Sequence, residues 1–304
     1  MNTLTITSDV EDAIKQLHFN LWDSTRNDLH FLDIGILCKN DNCNLKIHLP
    51  GSGITPDDLE DLSSKFIDNI PNAIFNASVE IAEKNKIRVF KIEDGSDFIL
   101  SPFDTEASVS KDKTSEIDID VKKPLNFQNA PGYNYYRFRI KNFDLSTVIV
   151  EVDSGSKSFE SSFSSCKVID FRVNDAKLLA PIESQEIVSS TEKFEKIHFL
   201  YITDVDEDIQ LAGVDYTARF LERDIWNDYL NLGENKHFNM IAYHLREKQS
   251  FSANFLIKCT YNKTSKKHLV AYAGIVIVLA IVANHFPALL CWLFSLLKNL
   301  FIHG

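Results

Sequence analysis

The sequence lacks most of the features that would assign it to a class of protein directly. It has only five cysteines in 304 residues, an odd number that forms no disulfide framework and fits a reducing compartment. The spacings H-x-x-x-H and C-x-x-C are missing, and so is the G-x-S-x-G elbow of hydrolases. These absences lower the expectation of catalysis, and we predict no cofactor and no catalytic residues.

Positive charge is also scarce. The chain has 32 Lys and Arg residues against 43 Asp and Glu residues, which gives a formal net charge of −11. A protein that binds nucleic acid needs a basic face for the phosphates, so this balance argues against a nucleic-acid partner. It also argues against broad contact with anionic lipid, except at local clusters of lysine.

A secretory leader is missing from the start of the sequence, MNTLTITSDVEDAIKQL, which has neither a basic region nor an apolar one. Charge is instead missing near the other end, because residues 269–297 contain no Asp, Glu, Lys or Arg. About 20 apolar residues in a helix span the hydrocarbon core of a bilayer. We therefore predict a tail-anchored membrane protein. The anchor residues that we single out are Leu269, Ile275, Leu279, Asn284, His285, Pro287 and Trp292.

The predicted anchor is interrupted at Asn284–Pro287, and this leaves three alternatives open. The first is a single span with a kink at the proline, which lacks a backbone N–H. The second is a span followed by a helix in the membrane interface, and the third is a hairpin of two short helices. Each arm of the hairpin would have about 15 residues, or about 23 Å, which is short for a full crossing.

The lysines near the anchor predict its orientation. Lys263, Lys266 and Lys267 precede the apolar run, whereas Lys298 follows it. Under the positive-inside rule, this asymmetry places the N-terminal region in the cytoplasm. The same three lysines are our candidates for contact with lipid head groups.

The remaining sequence predicts an α+β fold with mainly antiparallel sheet. We expect an α+β domain at residues 1–103, a flexible linker at 104–123, a strand-rich α+β domain at 124–262, a basic juxtamembrane segment at 263–268 and the anchor at 269–304. Within the first domain, Ser8 and Glu11 have the spacing of a capping box, and Val10, Ile14, Leu17 and Leu21 recur at helical spacing to Trp22. This pattern predicts a helix from Ser8 to Trp22.

Asp204, Asp206 and Asp208 form a D-x-D-x-D series that resembles the start of a calcium loop. The sixth and twelfth positions of such a loop would be Ile209 and Asp215 instead of glycine and glutamate. The three aspartates are therefore only weak candidates for a metal site, and a solvated acidic turn is the preferred interpretation.

Three functions are compatible with this organisation. The first is a membrane-anchored sensor or effector: its soluble part recognises a protein or small-molecule partner, and its anchor forms homo-oligomers or perturbs the membrane. The polar residues Asn284 and His285 within the anchor favour this hypothesis, since such residues tend to face another helix or water. The second is a passive adaptor that presents a binding module, and the third is a membrane-bound enzyme.

Overall fold

The structure is a computed structural model. It describes residues 3–39, 42–51, 53–84, 87–92, 97–122, 131–152, 164–175, 177, 193–211, 215–232, 238–262 and 266–302. The chain divides into two compact units. The first combines Met1–Val152 with Cys166–Thr260, and the second combines Asp153–Ser165 with Tyr261–Gly304.

Seventeen strands are found among the described residues. They are β1 (Thr5–Ser8), β2 (Ile14–Ser24), β3 (Leu29–Lys39), β4 (Cys43–His48), β5 (Leu59–Asp61), β6 (Val79–Lys84), β7 (Ile87–Ile92), β8 (Phe98–Leu100), β9 (Glu116–Val121), β10 (Tyr133–Ile140), β11 (Ile149–Val152), β12 (Ser164–Val173), β13 (Phe194–Asp204), β14 (Asp208–Leu211), β15 (Tyr216–Phe220), β16 (Met240–Ser250) and β17 (Ala253–Asn262).

The helices described are few and mostly short. They are α1 (Ile70–Phe75), α2 (Thr105–Ser108), α3 (Arg223–Leu230) and α4 (Lys266–Ile302), with single 3₁₀ turns at Pro56–Asp58, Ser63–Lys65 and Leu145–Thr147. Strands make up 52% and helices 22% of the structure, so the fold is mostly β. The predicted antiparallel sheets are confirmed, and strands outweigh helices in this mixed α+β fold.

The strands form three sheets. The central sheet has ten strands in the order β15-β16-β13-β2-β3-β10-β8-β7-β6, with β5 also paired to β10. A four-stranded sheet has the order β11-β12-β17-β14, and a three-stranded sheet has the order β1-β4-β9. Most pairings are antiparallel, but β2 pairs with β13 and β8 pairs with β10 in parallel.

The middle strands of the central sheet are buried on both faces. On one face, Phe19 and Phe199 pack against Phe171 of β12, with ring centroids 5.1 and 4.5 Å apart. On the other face, Trp22 packs against Trp226 of α3 with centroids 5.4 Å apart. The central sheet therefore lies between a smaller sheet and the short helices, and burying both faces of its strands provides most of the apolar stabilisation.

The predicted helix from Ser8 to Trp22 is wrong, because most of this segment is strand β2. Leu17 and Leu21 lie on one face of the strand with Phe19, while His18 and Trp22 lie on the other, and all five are buried. A strand that is buried on both faces does not show the alternation of apolar and polar residues that identifies a half-exposed strand. The leucines four residues apart then match a helical period by coincidence.

The predicted domain boundary at residues 104–123 lies within the first unit. Strands from both sides of it share the central sheet, since β2 pairs with β13 and β3 pairs with β10. The segment itself contains α2 and β9, and β9 pairs with β4 from Cys43 to His48. Lys123 lies outside the described residues.

The second unit contains α4, a helix of 37 residues that continues through Pro287. The helix does not turn back at Asn284–Pro287, so the hairpin alternative is not the observed structure. The single apolar helix near the C-terminus, Tyr272–Trp292, agrees with the predicted position of the anchor.

Candidate functional site

The face of the central sheet that is covered by α1 and α3 has an unusual number of buried polar side chains. They occupy alternate positions on neighbouring strands, where directly paired residues share a face. The set comprises His18 and Asn20 on β2, Asp33 on β3, Tyr135, Arg137 and Arg139 on β10, and His198 on β13. Buried polar groups are costly unless they are hydrogen-bonded, so the partners of these side chains decide whether the cluster is stable.

Asp33 is the centre of this set. Its carboxylate accepts hydrogen bonds from Arg139 Nε at 2.7 Å, Trp22 Nε1 at 3.0 Å and Tyr229 OH at 2.9 Å. Arg137 donates to the Tyr229 hydroxyl at 2.8 Å. Burial alone lowers the pKa of Arg139, but the charge of Asp33 outweighs burial and keeps that pKa above its ordinary value. The arginines are therefore charged and share the single carboxylate of Asp33, and Arg139 Nη1 also lies 3.7 Å from Glu60 Oε2.

Gly35 makes this cluster sterically possible. A Cβ atom at this position would lie 2.0 Å from the Tyr135 hydroxyl oxygen and 3.1 Å from Arg137 Nη1. The Tyr135 hydroxyl accepts a hydrogen bond from Arg137 at 3.2 Å and lies 3.0 Å from His18 Nδ1. Tyr135 therefore joins the ionic cluster to a second group, the histidines.

Three histidines form a row across the adjacent strands β2, β13 and β16, from the interior towards the edge strand β15. The ring centroids of His18 and His198 are 4.7 Å apart, and His198 Nδ1 lies 2.9 Å from His244 Nε2. Burial, followed by neighbouring His198 and Arg137, holds the pKa of His18 well below its ordinary value. Burial, followed by Arg246 and Arg219, lowers the pKa of His244 to about 4. Both histidines are therefore neutral at physiological pH.

The row ends at a cleft, which we name the β15–β16 cleft. Tyr216, the first residue of β15, pairs with Leu245 of β16, so β16 extends beyond β15 from Arg246 to Ser250. The cleft has a volume of about 410 Å³, and its lining residues are Asn76, Asp215, Tyr216, Thr217, His244, Arg246, Glu247 and Lys248. It is an open, polar cavity that adjoins a buried polar network.

A second cavity, of about 650 Å³, lies beside α1 and α3. Its lining includes Asp68, Asp224 and Asp228, which are acidic, together with Lys65. The ammonium group of Lys65 is already paired with Glu60, at 2.6 Å. This cavity therefore has less free positive charge to offer a ligand than the β15–β16 cleft.

On the opposite face of the central sheet, Lys167 of β12 joins two carboxylates. Its Nζ lies 2.6 Å from Asp23 Oδ2 and 2.9 Å from Glu207 Oε2. Burial alone raises the pKa of Asp23, but the hydrogen bond from His30 and the charge of Lys167 lower it to about 2. Both carboxylates are occupied by internal partners, so this cluster holds the two sheets together and offers little to a ligand.

The three aspartates of the D-x-D-x-D series do not converge on a common point. Asp204, at the end of β13, accepts a hydrogen bond from Ser24 Oγ at 2.6 Å. Asp206 is exposed and pairs with Arg26, and Asp208 is an exposed residue at the start of β14. The described part of the chain contains no group of three or more His, Cys, Asp or Glu residues arranged to hold a metal ion.

The predicted anchor residues lie along α4. Ile275, Leu279, Asn284, His285, Pro287 and Trp292 have exposed side chains, and Leu269 lies near the start of the helix. Lys266 and Lys267 are in its first turn, while Lys263 lies outside the described residues. Val270, Trp292 and Phe294 are 72%, 64% and 69% exposed, respectively. Apolar exposure of this extent in one helix requires a covering environment.

The sequence alone did not single out the polar residues that the fold brings together. Asp33, Arg137 and Arg139 resemble solvent-facing residues of a half-exposed strand, and no local pattern distinguishes His198 or His244 from other residues of a strand. The pairing register of the strands does show which of these polar residues lie next to each other. His18 and His198 are direct partners across β2 and β13, and Arg246 is the partner of His198 across β13 and β16.

Comparison with known proteins adds no identification. No protein-family model matches the chain, and no curated protein matches it. A solved structure of the Enterococcus faecalis MSCRAMM ACE, described as binding its ligands by the collagen Hug model, is 11% identical. The match covers 84% of this chain and 83% of that chain, with a TM-score of 0.16. A similarity this weak supports neither a shared fold nor a shared function.

Proposed function

We propose that the protein is a membrane-anchored sensor or effector. In this proposal the compact β unit recognises a ligand or partner, and α4 anchors the protein and self-associates in the bilayer. The observation that carries the proposal is the exposure of α4 along its apolar length: the stretch Tyr272–Trp292 has a mean hydropathy of 2.2, and none of it is buried.

The length of this stretch supports a single span. At about 1.5 Å per residue, its 21 residues extend for about 31 Å. This length matches the hydrocarbon core of a bilayer, which is about 30 Å thick. The full helix of 37 residues is about 56 Å long, so its ends extend into the head-group regions.

Two polar residues within the span support self-association. Asn284 and His285 are exposed on α4, eight and seven residues before Trp292. A polar side chain in hydrocarbon finds its most favourable partner on a neighbouring helix, and such contacts contribute about 0.6–2 kcal/mol. A second copy of α4 offers both residues at the same depth, so a homo-oligomer satisfies them without a further protein.

The lysines support an orientation with the compact unit in the cytoplasm. Lys258, Lys263, Lys266 and Lys267 precede the span, against Lys298 after it. Basic residues within about 15–20 positions of a span are retained on the cytoplasmic side. The cleft and its buried network then face the cytoplasm, where a ligand is available.

The experiment that tests the proposal compares three forms of the full chain in lipid vesicles. They are the wild type, the double variant Asn284→Leu with His285→Leu, and a matched control, Ile281→Leu with Val282→Leu. Crosslinking measures oligomers, leakage of a trapped dye measures membrane perturbation, and alkaline extraction measures insertion. We expect the polar double variant to insert normally but to lose oligomers and leakage, whereas the control keeps both.

The outcomes separate the alternatives. If every form inserts and none forms oligomers or releases dye, the protein is a passive adaptor with a simple anchor. If the wild type is released by alkaline extraction, α4 is not an anchor and the proposal fails.

A further inference from the structure

We propose that the β15–β16 cleft binds the phosphate group of an anionic ligand. This inference rests on the proposed function, because it names the class of ligand that the compact unit of a membrane-anchored sensor recognises. The argument starts from the positive charge at the edge of the central sheet, in a chain whose net charge is −11.

Four basic residues occupy one face of three adjacent strands. Arg246 and Lys248 of β16 line the cleft, and Arg219 of β15 lines a small cavity that shares His244 and Thr217 with it. Lys196 of β13 lies directly opposite Lys248 in the antiparallel pairing. Positive side chains from three neighbouring strands therefore lie on one face of the sheet, beside the cleft.

The cations that line the cleft are available to a ligand. Arg246 and Lys248 are exposed, and neither forms an ion pair within the part of the chain that the structure describes. Asp215 and Glu247 also line the cleft and formally balance its two cations, so the excess positive charge comes from Arg219 in the adjoining small cavity. This balance suits one compact anionic group between Arg246 and Lys248, and it disfavours an extended polyanion.

His244 lies where it senses the charge of the cleft. Its pKa of about 4 results first from burial and then from the positive charges of Arg246 and Arg219. An anion bound between these cations and the ring would offset that field and raise the pKa of His244. The groups near the ring are the cations Arg246 and Arg219, the imidazole of His198, and the carboxylates Asp215 and Glu247 of the cleft.

Hydrogen-bond donors and space complete the site. Thr217 offers a hydroxyl group, Asn76 offers an amide, and the guanidinium of Arg246 can bind two phosphate oxygens at once. The cleft volume of about 410 Å³ falls within the range of roughly 300–1,000 Å³ for small-molecule sites. It is larger than a phosphate ion needs, so the rest of a phosphorylated molecule also fits.

The test measures binding of inorganic pyrophosphate to the purified full chain in neutral detergent. Titration calorimetry gives the affinity, and NMR of ¹³C-labelled histidine gives the pKa of His244. We expect pyrophosphate to raise the pKa of His244. We also expect Arg246→Met and Lys248→Met each to weaken binding by about tenfold or more, since hydrogen bonds to charged groups are among the stronger ones.

Lys91→Met is the matched control, because Lys91 is an exposed lysine of β7 that pairs with Glu80 away from the cleft. It should leave the affinity unchanged. The proposal is overturned if neither pyrophosphate nor, in the vesicles described next, phosphatidic acid raises the pKa of His244, or if Lys91→Met weakens binding as much as Arg246→Met. The intrinsic fluorescence of Trp22 and Trp226 confirms that each variant is folded.

A second arm distinguishes a soluble phosphate compound from a lipid head group. The full chain is placed in vesicles of phosphatidylcholine alone or with phosphatidic acid, and the pKa of His244 is measured in each. If pyrophosphate raises the pKa of His244 in phosphatidylcholine vesicles, the ligand is a soluble phosphate compound. If the pKa rises only in the vesicles that contain phosphatidic acid, the ligand is a lipid head group. If the full chain binds neither phosphate compound but still forms oligomers and releases dye, this inference is refuted and the proposed function stands. Binding without insertion refutes the proposed function alone.

Discussion

Replacing Asp33 by asparagine tests the ionic cluster, because asparagine keeps the shape of the side chain and removes its charge. Asp33 is completely buried, and so is Arg137, while Arg139 is 4% exposed. Without the carboxylate charge, the two guanidinium groups lose their shared internal counter-ion. Removing one partner from a buried ion pair costs about 3–5 kcal/mol.

The hydrogen bonds lead to a similar magnitude. Asp33 Oδ2 accepts from three donors: Trp22 Nε1, Tyr229 OH and Arg139 Nη2. In Asp33→Asn, an NH₂ group replaces either Oδ2 or Oδ1, the oxygen that accepts from Arg139 Nε. This NH₂ group cannot accept the hydrogen bonds that the replaced oxygen accepted. Each unsatisfied buried group costs about 1–3 kcal/mol, so we expect a total loss of about 3–5 kcal/mol after partial relaxation.

The assay is thermal unfolding of the full chain, followed by the fluorescence of Trp22 and Trp226. All proteins in the series carry Trp292→Phe, which removes the signal from α4. A loss of about 3–5 kcal/mol lowers the midpoint by roughly 6–20 °C for a unit of this size. Asp206→Asn is the control, because its pair with Arg26 is exposed and contributes at most about 1 kcal/mol.

A double-mutant cycle decides whether the cluster acts as a unit. Tyr229→Phe removes the hydroxyl that donates to Asp33 and accepts from Arg137. The two substitutions share partners, so their effects should depart from additivity by about 0.5–3 kcal/mol. An Asp33→Asn protein that unfolds within 2 °C of the parent would refute the reasoning, since the carboxylate would then contribute no more than an exposed one.

Two further predictions concern the same face of the sheet. Gly35→Ala places a Cβ atom 2.0 Å from the Tyr135 hydroxyl oxygen, so it should destabilise the fold by about 1–3 kcal/mol. The control is Gly132→Ala, whose Cβ atom meets nothing within 4 Å, and it should leave the unfolding midpoint unchanged. The pKa of His244 is about 4 in the folded protein and 6.5 ordinarily, so the unfolded chain binds a proton more readily. The free energy of unfolding should therefore fall as the pH drops from about 6.5 to about 4, by at most about 3 kcal/mol. His244→Gln should lose that part of the pH dependence when unfolding midpoints are compared across this range, and an unchanged dependence would count against the burial of this ring.

Local patterns predicted most of the strands but not how the strands are combined. The strands Ile87–Ile92 and Phe98–Leu100 are short apolar runs between turn residues, and such runs are a local signal of a strand. The pairing of β2 with β13 joins residues about 180 positions apart, and no local signal records it. The helix predicted from Ser8 to Trp22 failed for a related reason, since its polar residues are buried by partners from distant strands.

The candidate cleft depends even more on this distant pairing. Arg246 and Lys248 occupy alternate positions of one strand, which by itself is typical of a solvated face. Only the register with β13 places Lys248 opposite Lys196 and Arg246 opposite His198. The apolar run of α4 needed no such information, because a span is defined by its own composition and length.

The buried charges also restrict how the sheet can assemble. A shift of one residue between β3 and β10 would turn Arg137 and Arg139 towards the face that carries Phe138 and Ile140, away from Asp33. Two guanidinium groups would then be buried among apolar side chains without a carboxylate, which costs several kcal/mol per charge. An all-apolar sheet of this width could slip with a smaller loss. The ionic cluster therefore fixes the register of β3 and β10. That register also places Tyr135 beside His18, the first histidine of the row that leads to the cleft.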